Sequence, residues 1–306
     1  MDYISIIVLN WRTPTLTIDT VFSLLKIEHL NFKYKIFIID NGSGDGSIDQ
    51  FKKEFSNNRL VSIHDTGSNL GYVDGNNYGI DIALKEKPDY VLVINSDVIV
   101  KKDFLSIMHN FLVENKDYGM VGPKIYFAPG YEFHKERYVE KEKGKVFWSV
   151  GGKIDWQNVY GSNLGIDEVD HGQYDTNNPN VDYLSGCCLL IRTDVIKEIG
   201  PFDSRYFMYS EDADYSRKIL KHGYKIAYIW KSVLWHVNSG SSGRGPIHDY
   251  FLTRNRLLFG FRYCTLRTKF ALFRDSIKIF FTSPYPWQRI GVRDFYINRL
   301  NKGSWK

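Results

Sequence analysis

Tyr90-Val91-Leu92-Val93-Ile94-Asn95-Ser96-Asp97 is an unbroken apolar run that ends abruptly in three polar residues. A strand that is apolar at every position is buried on both faces, as in a parallel sheet covered by helices on each side. Similar β-branched runs occur at 3–9, 35–39 and 60–64. Between the runs, 15–27, 47–55, 74–85 and 103–115 carry apolar residues at three- and four-residue spacing and are expected to be helices. Strand–helix alternation predicts βαβ units in an α/β fold, with a mostly parallel sheet and ligands at the carboxyl ends of the strands. Chemically active residues stand at those ends: Asn10-Trp11, Asp40-Asn41 and Asn95-Ser96-Asp97.

Downstream the pattern weakens. Residues 128–180 are rich in Gly, Asn, Asp and aromatics, and are expected to form irregular strands and loops on an acceptor side. Regular structure is predicted to resume over 182–192, with helices from Thr193 and near Glu211 and strands at 225–229 and 233–236. The Ser/Gly run 239–245 reads as a mobile loop. Helical segments follow at 250–262 and 266–281, then one more after Pro284 and Pro286, to about Leu300.

Composition narrows the possibilities. At 43% hydrophobic and 16% aromatic, 306 residues suit a globular chain with a substantial core. No run approaches the roughly 18–20 apolar residues of a membrane span. The opening MDYISIIVLNW has no basic lead and reads as a strand, not a signal peptide. Three cysteines, two of them adjacent, make neither a disulfide framework nor a zinc pattern, so a reducing cytoplasm is the expected location. The Asn41-Gly42-Ser43 sequon is then simply a turn. The net charge of +5 is uneven: 254–306 holds 12 Lys/Arg against Asp275 and Asp294, while the remainder holds 28 basic and 33 acidic residues. A basic aromatic tail on a mildly acidic body suggests a peripheral contact with anionic headgroups at the inner face of a membrane. A dimer contact, or a merely solvated helix face, is the alternative. Nucleic acid is not an expected partner.

Four clusters carry chemistry. Asp97 offers a hard oxygen ligand to a divalent cation bridging phosphates, although an aspartate after a strand is more often a turn former. Glu211-Asp212-Ala213-Asp214 follows Phe207-Met208-Tyr209-Ser210; acids in a first helical turn complement the dipole, with Ser210 as a possible N-cap. A carboxylate among aromatics also has its pKa raised toward that of a general base. His236, beside the Ser/Gly loop, suits a ligand for a metal that arrives with a donor; a lone strand-end histidine is more often structural. In 69–79, glycines and a helix N-terminus favour close approach to phosphate, without the spacing of a dinucleotide or Walker loop.

Taken in order, these motifs resemble the glycosyltransferase family 2 pattern on a GT-A fold, and within it the rhamnosyltransferase-like branch. The resemblance rests on the opening strand ending Asn10-Trp11 and the turn Asp40-Asn41-Gly42-Ser43-Gly44-Asp45. It continues through Asn69-Leu70-Gly71-Tyr72-Val73-Asp74-Gly75-Asn76-Asn77-Tyr78-Gly79, Asn95-Ser96-Asp97 and Ser185-Gly186-Cys187-Cys188. Gly200-Pro201-Phe202-Asp203, 207–214, His236 and Arg254-Asn255 complete it, spanning about 3–255 and more loosely 291–303.

The resemblance implies roles. Asp97 and His236 would hold Mn²⁺ or Mg²⁺, Asp40 would accept from a pyrimidine N–H, and Asp212 would be the base of an inverting displacement. Glu211 would bind an acceptor hydroxyl, and Arg254 would meet the diphosphate as a lid closes. Asn10, Asn69, Gly71, Asn76, Asn95 and Ser96 would complete the nucleotide-sugar side. The implied organisation is a catalytic unit at 1–245, with a nucleotide-sugar half to about 127 and an acceptor half at 128–245, followed by a basic helical extension at 246–306. The implied donor is dTDP-rhamnose, with UDP-hexose or UDP-galactofuranose open, and the acceptor is a glycan or lipid-linked glycan of a cell-surface polysaccharide. Two departures stand out: Asn95 replaces the first acid of Asp-x-Asp, and Asp74, read here as a helix cap, takes a place often held by a small residue. Two other readings compete. A silent sugar-binding scaffold needs no general base, and a nucleotidyltransferase opens with a Gly-rich basic loop, where this chain has Asn10-Trp11-Arg12-Thr13.

Overall fold

The computed structural model describes residues 1–177, 180–237 and 245–306. Most of the Ser/Gly run expected to be a mobile loop lies outside the described residues. The first half is β1 (Asp2–Asn10), α1 (Pro14–Leu24), β2 (Phe32–Asp40), α2 (Ser47–Phe55), β3 (Val61–Asp65), α3 (Gly71–Lys85) and β4 (Tyr90–Asn95). Then come β5 (Val98–Val100), α4 (Phe104–Glu114), β6 (Tyr118–Phe127), β7 (Phe147–Ser149), β8 (Gly152–Asp155) and β9 (Tyr160–Asn163). The chain continues with β10 (Cys188–Arg192), α5 (Thr193–Ile199), α6 (Glu211–Lys221), β11 (Lys225–His236), α7 (Pro246–Tyr263), α8 (Leu266–Thr282) and α9 (Pro286–Tyr296).

The main sheet runs β3-β2-β1-β4-β10-β6-β11-β5, with β7 added to β6; β8 and β9 form a separate hairpin. Alternation along β1 explains the layers. Ile4, Ile6 and Val8 pack with α1, α2 and α4 on one face, and Ile7 packs with α3, α5 and α6 on the other. Val91, Leu92, Val93 and Ile94 of β4 are all buried, as the apolar run requires.

The parallel expectation holds for the first four strands and gives way beyond them. β10 is antiparallel to both β4 and β6, and β5 is antiparallel to β11. The reason is the route of the chain. β6 delivers it to the carboxyl end of the sheet, 128–187 occupies that end, and β10 must run back through the sheet. β6 itself is broken in pattern by Gly119, Gly122 and Pro123, residues depleted in strands, and periodicity alone misses it. The two strands expected at 225–229 and 233–236 are one, β11, with a register shift between Ile229 and Val233. In the 182–192 stretch, only Cys188–Arg192 is strand.

α3 begins at Gly71, a turn earlier than expected. Gly71 has φ +81°, and any side chain there would overlap the Phe207 ring. Asp74 is therefore inside the helix and caps nothing. It accepts from Asn301 Nδ2 at 2.7 Å and so ties the C-terminal segment to the first turns of α3.

Candidate functional site

The register of β11 against β5 sets the first pair. His236 stands opposite Val98, so the residue before Val98 comes alongside it, and Val237 N–H donates to the Asp97 carbonyl at 2.8 Å. His236 Nε2 then lies 3.1 Å from Asp97 Oδ1, joining residues 139 positions apart. The imidazole is buried with the edge of Trp148 packed against it at 4.7 Å between centroids, whereas Asp97 keeps 22% of its side chain exposed. One imidazole nitrogen and one carboxylate oxygen converging at the rim of a crevice fit a divalent cation that completes its shell with phosphate and water. Among the described residues, no group of three His, Cys, Asp or Glu gathers into a metal cluster. The described residues thus offer two donors at this point.

The second pair is built differently. Tyr209 and Ser210 both have left-handed backbone, φ +67° and +69°, an unfavourable conformation for side-chain-bearing residues that needs external support. Asn255 of α7 supplies it: its Nδ2 donates to the Met208 and Tyr209 carbonyls, each at 2.8 Å. Ser210 does not cap α6 with its side chain, contrary to the simplest reading of its position. The twisted turn instead launches Glu211 and Asp212 into a cavity of about 310 Å³. Trp148, Tyr160, Tyr183, Tyr209 and Phe259 furnish aromatic wall, with Asn163 and Arg256 as polar points. Such a pocket suits a sugar, whose C–H faces lie on rings and whose hydroxyls seek a few polar groups.

Inside that cavity the two carboxyls are inequivalent. Burial raises the Glu211 pKa, and the neighbouring Asp212 charge raises it further; Asp212 is raised by burial too. Asp212, however, accepts from Gly186 N–H at 3.1 Å and Ala213 N–H at 2.7 Å, which favours its charged form. Glu211 Oε2 is buried without a partner. Burial thus favours protonation of both, and the two backbone donors on Asp212 make Glu211 the member of the pair that takes up a proton more readily.

A short turn couples the two pairs. The Asn95 amide donates to Cys187 O at 2.9 Å, the Gly186 amide to Asp212, and Tyr72 Oη to Gly186 O at 2.6 Å. Asn95 and Ser96 are half-buried beside Asp97. On the far side, Asp40 is nearly inaccessible: Oδ1 accepts from Asn10 Nδ2 at 2.6 Å and Ser43 Oγ at 2.7 Å, and Oδ2 from Ser43 N–H at 2.9 Å. Its carboxylate has one lone pair of Oδ2 left for a further donor. Asn10 Oδ1 accepts from Thr17 Oγ1 at 2.7 Å, fixing the β1 end to α1. Asn69 Oδ1 accepts from Gly71 N–H at 2.8 Å, and Asn76 Nδ2 donates to Tyr72 O at 2.8 Å, so both brace the start of α3. Asn41 donates to Asn69 and to the Gly71 carbonyl, and the sequon is a buried structural turn.

Arg254 is placed elsewhere than expected. It is fully buried, stacked on Tyr250 and Phe251, with Nη1 donating to Asn301 O at 2.5 Å and Nε to Asn255 Oδ1 at 3.1 Å. Its Nη2 is left without a partner among the described residues, and its contact with Asn255 makes it a brace for the 208–210 turn. Sequence reasoning missed Trp148, Tyr72, Gly186 and Asn255 as parts of the site. Tyr72, Gly186 and Asn255 lay in motifs that could have flagged them; Trp148 lay in none.

Comparison with known proteins adds a family and a fold. The family described as "Glycosyltransferase like family 2" matches residues 2–256. The chain is 27% identical over 219 residues, 69% of each chain, to the N-acetylglucosaminyl-diphospho-decaprenol L-rhamnosyltransferase of Mycobacterium tuberculosis. It is 25% identical over 224 residues to rhamnosyltransferase WbbL of Escherichia coli, covering 66% of this chain and 74% of that one. In fold it resembles a mannosyltransferase of Pyrobaculum calidifontis solved with GDP-Man and Mn²⁺, at TM-score 0.57 and 12% identity over 96% of this chain and 74% of the other.

Proposed function

Because the chain belongs to glycosyltransferase-like family 2 and has the GT-A fold of that family, we propose that it transfers a sugar with inversion from a nucleotide diphosphate to a glycan hydroxyl. The observation that carries this reading is the junction of two unlike pairs: Asp97 with His236 at the crevice, and Asp212 with Glu211 at the pocket, linked through 185–187. Asp212, held as carboxylate, takes the proton of the acceptor hydroxyl as its oxygen attacks the anomeric carbon. The diphosphate departs from the opposite face, so the configuration inverts. Glu211, carrying the shared proton, donates to a second acceptor oxygen. Asp97 and His236 would hold a divalent cation, which supplies charge neutralisation for the leaving diphosphate. The histidine nitrogen favours Mn²⁺ over Mg²⁺. Asp40 would take the base N–H with its remaining lone pair, while Asn10, Asn69, Gly71 and Asn76 shape the loops that receive the nucleotide, beside Asn95 and Ser96.

The similarity to two rhamnosyltransferases supports dTDP-rhamnose as donor and a lipid-linked glycan as acceptor. The catalytic unit is read as 1–245. Yet Leu252, Arg256 and Phe259 of α7 line the pocket, so the extension also shapes acceptor choice. A thermal-shift panel of nucleotide sugars with and without Mn²⁺ tests the reading, because a ligand that binds the folded state raises its apparent stability. The expected result is a rise with dTDP-rhamnose that needs Mn²⁺. A flat response to every donor, with metal present, would sink the proposal; a Mn²⁺-dependent rise with a UDP-sugar alone would reassign the donor.

A further inference from the structure

α8 has two unlike sides. At about 100° per residue, Leu266, Phe270, Phe273, Ile277, Phe280 and Phe281 fall within one arc of roughly 100°. All six point outward, between 40% and 84% exposed. Leu272 and Ser276, outside the arc, are buried, and Gly260 of α7 gives Leu272 its room. The apolar arc is bordered by exposed Arg267, Arg274 and Lys278, with Lys269 along its other edge. The one acid of the helix, Asp275, lies off the apolar arc and pairs with Arg256 of α7 at 2.6 Å, with 42% of its side chain exposed. The helix is firmly held, with Thr265 capping its start by accepting from Thr268 N–H and Ser276 Oγ within 2.7 Å of Tyr296 Oη.

A stable helix that turns four phenylalanines outward between cationic borders has the form of a helix lying in the headgroup–acyl boundary of a bilayer. We infer that α8 docks this protein on an anionic membrane surface, its phenylalanines inserted and Arg267, Arg274 and Lys278 among the headgroups. Charge complementarity selects lipid over a second copy of the chain, because a two-fold contact through this face would set like-charged borders against each other. Among the described residues no helix is long and apolar enough to cross a membrane. Docking has a consequence for the pocket. Arg256 both lines it and holds Asp275, so the acceptor cavity stands beside the helix that meets the lipid. Delivery of a lipid-linked acceptor from the bilayer plane rests on the transferase reading; docking itself does not.

Vesicle flotation of the full chain, which requires no turnover, separates the two. The wild type is expected to partition at least about tenfold better into phosphatidylcholine vesicles containing phosphatidylglycerol than into phosphatidylcholine alone, and to lose that preference at high salt. The double substitution Phe270→Ser with Phe281→Ser should reduce partitioning about tenfold or more, at an unchanged thermal midpoint, since both residues are exposed. Independently, Arg274→Glu with Lys278→Glu should abolish the preference for anionic vesicles. Wild-type flotation no better than that of the phenylalanine variant would overturn the inference. So would a dimer in light scattering that the phenylalanine substitutions convert to monomer without any change in flotation.

Discussion

The Asp97–His236 pair and the Glu211–Asp212 pair are connected through Trp148 and the 186–187 turn, and are made by opposite means. Sheet register makes the first: two strand ends adjoin because β5 and β11 pair, and no unusual backbone is needed. The second depends on a left-handed turn at 209–210 that Asn255 must hold. The first pair reaches solvent through Asp97 and has lone pairs that would suit a cation; the second is enclosed, and its enclosure raises the pKa of both carboxyls. A rigid sheet edge suits a group that must bind repeatedly, while a buried carboxyl pair suits one that must exchange a proton.

Substitutions can break this contrast in graded ways. Asp212→Asn removes the base and should lower kcat by about 10²–10⁴-fold with donor binding retained, measurable by single-turnover transfer beside donor titration. His236→Ala acts on the other pair: the Mn²⁺ concentration for half-maximal activity should rise by about tenfold or more, and an unchanged metal titration would remove His236 from the ligand set. Asn255→Ala leaves the Met208 and Tyr209 carbonyls without their donor and should cost about 1–3 kcal/mol in stability, read by denaturant unfolding. Its activity should fall further than its metal affinity, since only the second pair depends on the turn.

The pH profile sharpens the same contrast. With one proton on the carboxyl pair in the working state, kcat/KM should fall at low pH as Asp212 gains a proton and at high pH as Glu211 loses its own. Glu211→Gln should remove the alkaline limb and leave the acid one. The smallest effect concerns stability. The Glu211 pKa is raised in the folded state, so the native protein holds a proton that the unfolded chain has released. That makes stability fall as pH rises from the unfolded to the folded pKa. Glu211→Gln abolishes this slope and should raise the thermal midpoint by about 1–3 °C at mildly alkaline pH, with little change at pH 4.

Much of the donor side was legible in the chain itself. α2 and β4 have the boundaries that apolar periodicity predicts, because both are local patterns. Asp97, His236 and the acid pair could be chosen from motif order, but their distances could not, since these follow from pairing between strands far apart in sequence. The mixed half of the sheet escaped detection because β6 carries Gly and Pro for packing reasons, and β5 is only three residues long. The surroundings of Arg254 were hidden for another reason. An arginine after a polar loop looks available to phosphate, and nothing local reveals that Tyr250, Asn301 and Asn255 enclose it. The apolar side of α8 was also hidden, because the same spacing describes a core-facing helix until its neighbours are known.

Donor affinity, titrated with and without Mn²⁺ in the wild type, Asp212→Asn and His236→Ala side by side, tests the division of labour most directly. The account predicts that Asp212→Asn binds donor as tightly as the wild type and keeps its Mn²⁺ dependence, while His236→Ala loses that dependence. The reverse pattern, with donor binding lost in Asp212→Asn and metal dependence intact in His236→Ala, would contradict it.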